Sequence, residues 1–172
     1  PMPAPPSQSE LLEALDWHLS AHLGAPTGTA RLDVVELGAI EIVRFEPMPG
    51  TLVLASRGAA AIRGRPPLRE AVLTLPGEPP EPVVAAACGM LGAFATHEGV
   101  GAPPEQLAFT PEPGVFEAFD FDTVLVLPPV AFTEGLAELD LGQGAQLGLL
   151  WLVPGFVEEA EYAAEHGAQA LL

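Results

Sequence analysis

The chain has 172 residues, 49% of them apolar, and a formal net charge of −17. That length suits one ordinary domain, able to bury roughly 70% of its unfolded surface, and the apolar share excludes a wholly disordered chain. The acidity excludes unassisted binding to nucleic acid or to an anionic membrane, where cations must displace counterions, and it favours a basic protein partner.

PMPAPP opens the chain without periodicity, so residues 1–7 are expected to form a flexible lead-in to a single domain over residues 8–172. Ser7 followed by Glu10 is a capping box that starts a helix over about residues 8–23. Leu12, Leu15, Leu19 and Leu23 give that helix one apolar face, and Gly24 stops it. Short strands are predicted at 31–37, 39–45, 51–56 and 69–75, each bounded by turn residues. VVAAACGMLGAFA, residues 83–95, reads as a buried helix whose Gly89 and Gly92 allow close approach to a sheet. After the Pro- and Gly-rich stretch 99–114, FDTVLVLPP at 121–129 is an interior-type strand. Gly142-Gln143-Gly144 is expected to join two strands as a hairpin, with a last helix starting near residue 155. Strands and helices mixed without strict alternation predict an α+β arrangement, a sheet with helices packed on it.

Candidate chemistry is sparse. Lysine is absent, which removes a P-loop lysine, a Schiff-base lysine and a lysine general base. Cys88, the single cysteine, sits among alanines in the most apolar helix, where a thiolate is disfavoured. His18 and His22 lie one helical turn apart, as zinc ligands can, but Leu19 stands where the zincin motif needs glutamate. Their expected role is packing beside the leucine stripe. Glu158, Glu159, Glu161, Glu165 and His166 follow from helix electrostatics, acids first and the cation last, and form a solvated face. No catalytic residue, metal ligand or cofactor is assigned. The alternative enzyme would use a metal held by His18, His22 and His97 with Glu98.

Two charge clusters are candidates for partner binding. Arg57, Arg63 and Arg65 lie in RGAAAIRGRPPLR, residues 57–69, read as a loop that binds an acidic group or neutralises nearby glutamates. Glu112, Glu117, Asp120 and Asp122 surround Phe116, Phe119 and Phe121. Aromatic anchors inside an acidic rim suit a protein interface, while core insertion at the start of the strand is the competing role.

The order of segments carries a resemblance. AHLGAP, TLVLASRG, the apolar helix ending near HEGVG, FDTVLVLPP and LWLVPGFVEEAEYAAEHGAQALL together resemble the suppressor of fused-like domain family, from about Leu11 to Leu172. The resemblance implies an α/β sandwich on a mixed sheet and a protein-binding role. Eukaryotic members restrain a transcription factor, and bacterial relatives are proposed as immunity proteins in toxin systems. The expectation is therefore a non-enzymatic acidic domain that binds another protein, a basic toxin if the bacterial role applies. A regulatory or structural subunit forming a homodimer is a further alternative. No apolar run reaches the ~18–20 residues of a membrane span, no leader is apparent, and Met2 is the expected start, so a cytoplasmic location is expected.

Overall fold

The computed structural model describes residue 4 and residues 6–34, 36–97 and 108–172. Most of the expected lead-in and Glu98 lie outside the described residues. The elements run α1 (Gln8–Leu23), β1 (Gly28–Val34), β2 (Gly38–Met48), β3 (Thr51–Arg57), α2 (Ala59–Arg63), β4 (Leu68–Pro76) and α3 (Glu81–Thr96). Then come β5 (Ala108–Phe109), β6 (Thr123–Leu127), β7 (Glu138–Gly142), β8 (Ala145–Gly155), α4 (Val157–His166) and a 3₁₀ turn (Ala168–Leu171).

The capping box at α1 forms as its residues dictate. The Ser7 hydroxyl accepts from the Glu10 amide at 3.3 Å, and the Glu10 carboxylate accepts from the Ser7 amide at 2.8 Å. The buried stripe is Leu11, Leu15, Leu19 and Leu23. It steps by four, which brings Leu11 inward and leaves the expected Leu12 half-buried at its margin. The predicted strand at 121–129 shortens to β6, because paired backbone begins only at Thr123, opposite Gly155. The segment 57–69 also departs from expectation: residues 59–63 form the short helix α2 between Gly58 and Gly64, both with positive φ.

Among the described residues the sheet has eight strands, ordered β1-β2-β3-β4-β8-β6-β5, with β7 also paired to β8. All neighbours are antiparallel except β4 and β8, which run parallel, so the sheet is mixed. β8 meets β4 along one edge; along the other it pairs with β7 through residues 145–148 and with β6 through 151–155. The Gln143-Gly144 turn into β8 has positive φ at both positions, the twist a two-residue hairpin needs.

Helices cover both faces. The α1 leucines pack on Val43, Phe45, Val53, Ala55, Leu147 and Leu149. Met90, Leu91 and Phe94 of α3 pack on Ile40, Ile42, Leu52, Leu54, Leu73 and Leu152. Alternate residues of β3 thus enter opposite cores, as a period of two requires. With no solvent face, LVLAS in β3 and TVLVL in β6 are buried without interruption. Gly92 lets α3 approach the sheet, since a Cβ there would lie 2.8 Å from Leu32 of β1. Gly89 serves a different contact, against Val115 of the 110–122 segment. No helix among the described residues is long and apolar enough to cross a membrane. The result is a single α+β domain.

Candidate functional site

The strongest candidate surface is built where β6 and β8 end. Thr123 pairs with Gly155, so the residues just outside that pair, Phe121 and Phe156, come to 5.6 Å between ring centroids. Phe116 and Phe119 join them at 5.9 Å and 6.3 Å from Phe121. Consecutive turns hold the 112–119 segment, with the amides of Val115, Glu117 and Phe119 donating to the carbonyls of Glu112, Gly114 and Phe116. The small Gly89 seats this segment on α3, because a Cβ at that position would stand 3.1 Å from both Val115 methyls. Offset and edge-on ring pairs at these spacings add to apolar burial.

Backbone caps lock the cluster to α4. The Asp122 carboxylate accepts from the Val157 amide at 2.9 Å, and Glu159 accepts from the Phe156 amide at 2.9 Å. Both anions sit at the positive end of the helix dipole. Gly155 leaves room beneath them: an added Cβ would approach Glu159 Oε2 to 2.7 Å and Leu125 Cδ1 to 2.8 Å, so both side chains would have to shift.

Phe116, Phe119 and Phe121 are half-buried, neither fully in the core nor free of it. Glu112, Glu117, Asp120 and Asp122 are exposed around them. No Arg or Lys follows Arg69 in the chain. The ion pairs of the described residues link Arg31 to Asp33, Arg44 to Glu46, and Arg57 to Asp16 and Glu41, and none of these includes a member of the rim. The acidic field at this edge therefore points outward.

The arginine cluster is arranged differently. Arg57 grips Asp16 through two nitrogens at 2.7 and 2.9 Å and reaches Glu41 at 2.9 Å. The Asp16 hydrogen bonds and the charges of both acids hold its pKa above the ordinary arginine value, against the pull of desolvation. Arg63 lies over the Phe94 ring and donates to the carbonyls of Phe94 and His97 at 2.6 and 2.7 Å, closing the end of α3. Burial lowers its pKa, with Glu70 opposing and Arg65 adding to the effect. Arg65 is exposed. The structure thus separates the two clusters of the sequence into a corner whose main charges bind other parts of the chain and an edge where Glu112, Glu117 and Asp120 face solvent while Asp122 caps α4.

The fully buried Glu70 gives no signal in the sequence beyond a glutamate inside a strand. One carboxylate oxygen accepts from the amides of Gly58 and Ala60 at 2.9 and 3.1 Å, and the other accepts from the Ser56 hydroxyl. Ser56 in turn accepts from the Ala71 amide at 2.8 Å. Burial raises the Glu70 pKa to about 7, while these hydrogen bonds pull it back. The carboxyl supplies the acceptors that the first turn of α2 lacks.

The histidines do not converge. His18 and His22 touch edge to face at 4.7 Å, and each bonds the 133–136 segment, His18 to the Leu136 carbonyl and His22 to the Thr133 hydroxyl. Desolvation, then the His18 charge, lowers the His22 pKa. His97 closes α3 on the opposite face of the sheet, beside Phe109. Among the described residues no three His, Cys, Asp or Glu side chains gather as a metal site. Cys88 is half-buried, and burial raises its pKa.

No family model matches the chain, and no curated protein matches it. The architecture is similar to the crystal structure of a protein from Neisseria gonorrhoeae FA 1090 proposed to be a suppressor of fused homolog. The TM-score is 0.57 at 19% identity, over 95% of this chain and 85% of that one. The mixed sheet, its two covered faces and this likeness show that the chain has the suppressor of fused-like fold.

Proposed function

We propose that this chain is a non-enzymatic binding domain that recognises a basic protein through the edge formed by Phe116, Phe119, Phe121 and Phe156. The observation that carries this reading is the outward acidic rim around half-buried aromatic rings. Aromatic anchors supply most of an interface's affinity, and complementary charge speeds and orients encounter. The specific form we propose, following the role suggested for bacterial proteins of this kind, is immunity: the domain neutralises a toxin by covering its surface.

The test is capture from the native cytoplasm at low and moderate salt, followed by identification of the retained protein and co-expression with it. A basic protein that weakens with salt, and whose toxicity co-expression relieves, is the expected outcome. Retention of no basic protein at either salt would sink the reading, and a retained protein that is harmless would sink the immunity form alone.

A further inference from the structure

Two hollows adjoin at the aromatic edge and share the side chains of Ala86 and Phe119. The first, about 110 Å³, lies between α3 and the ends of β4 and β8, with walls that include Leu75, Val83, Met90, Phe121 and Pro154. Among the described residues, Thr74 is the sole polar one on its wall. The second, about 310 Å³, runs between the first turns of α3 and the 114–119 segment, where Glu117 is the charged residue of the wall. Phe119 forms the ridge between them.

Cofactor-sized and drug-sized ligands fill about 300–1,000 Å³, so the apolar hollow, at about 110 Å³, suits a single side chain, while the adjoining one, about 310 Å³ and open to solvent, has room for the rest of an extended segment. Its surroundings carry one sign of charge. Glu81 begins α3 next to Pro82 of the second hollow, Glu117 lines that hollow, and Asp120 stands between Phe119 and Phe121. Among the described residues, neither hollow has a cationic one on its wall. An anionic occupant would be repelled, and a neutral apolar one would leave the rim unused.

We propose that this groove receives a lysine- or arginine-bearing segment of the basic partner, with one apolar side chain as its anchor. The anchor enters the hollow beside Phe119, and the flanking cations lie over Glu81, Glu117 and Asp120. The inference rests on the partner reading above and deepens it by assigning the groove and the sequence character of its occupant.

Selection of a random peptide library on the full chain tests the groove without knowledge of the partner. The expected consensus is an apolar residue flanked by Lys or Arg. Calorimetry with an enriched peptide should then show at least about a tenfold loss of affinity in Phe119→Ala. A double variant, Glu117→Lys with Asp120→Lys, changes only exposed side chains, and it should weaken binding and flatten its salt dependence. No enrichment, enriched peptides without Lys or Arg, or unchanged affinity in both variants would overturn the proposal. A basic protein captured equally by the wild type and both variants would leave the partner reading standing and remove the groove. If the wild type captures none, the partner reading fails whatever the peptides do.

Discussion

The α2 corner and the aromatic edge look alike in the sequence, as charged residues interleaved with apolar ones, yet the fold uses them in opposite ways. At the corner, Arg57 is held by Asp16 and Glu41, Arg63 by two carbonyls of α3, and Glu70 by backbone amides and Ser56. At the edge, Glu112, Glu117 and Asp120 face water without a cation from the nearby chain. Charge density alone does not mark an interface. What separates Arg57, Arg63 and Glu70 from Glu112, Glu117 and Asp120 is a partner group of the chain within reach, which at the edge only the helix-capping acids Asp122 and Glu159 find.

The sharpest way to break the corner is Glu70→Ala. It strips the acceptors from two amides and a hydroxyl at a wholly buried position, and should cost on the order of 3 kcal/mol in urea unfolding. The same carboxyl gives the corner a pH signature. Its pKa is raised from 4.5 to about 7, so the folded state holds the proton more tightly than the unfolded one. The associated stability is fully present below pH 4.5 and is lost as pH rises through about 7. Glu70→Gln should remove that downward slope relative to wild type; parallel stability curves would contradict the assignment.

A smaller effect is expected at the junction that shapes the edge. Gly155→Ala forces Glu159 and Leu125 aside and should cost about 1–3 kcal/mol, with faster amide exchange at the start of α4. Arg57→Ala should cost only about 1 kcal/mol, because its carboxylate partners are about half exposed, and should leave affinity for a basic partner intact. Least stabilising of all is Glu117. Glu117→Lys should stay within about 0.5 kcal/mol of wild type in unfolding while slowing association with a basic partner at low salt. A slower rate for Arg57→Ala than for Glu117→Lys would reverse the roles assigned to the two regions.

Local signals made some of this visible in the sequence. Ser7 and Glu10 fix the start of α1 through contacts three residues apart, and the Gly142–Gly144 turn fixes its hairpin. Phe116, Phe119 and Phe121 stood out because acids surround them. What stayed hidden depends on distant partners. Five residues of α2 are too few to display a helical period, and only the Glu70 acceptor from β4 completes its first turn. Glu70 itself reads as one of three polar residues of REAVLTL until α2 is placed above it. Phe156 joins the cluster because β6 and β8 pair across more than thirty intervening residues. The groove needs α3 and the 114–121 segment together, and no single stretch encodes it.

The placement of β8 also bears on how the molecule is made. Its neighbours, β4, β6 and β7, all precede it in the chain. While residues 145–155 are still being synthesised, β4 has β3 on one side and bare amides and carbonyls on the other, beside Ala71, Val72 and Leu73. An unfinished strand of that kind templates pairing with other chains. A chain in which β8 has not yet formed therefore leaves β4 with an open edge, and the sheet closes only when β8 takes its place between β4 and β6.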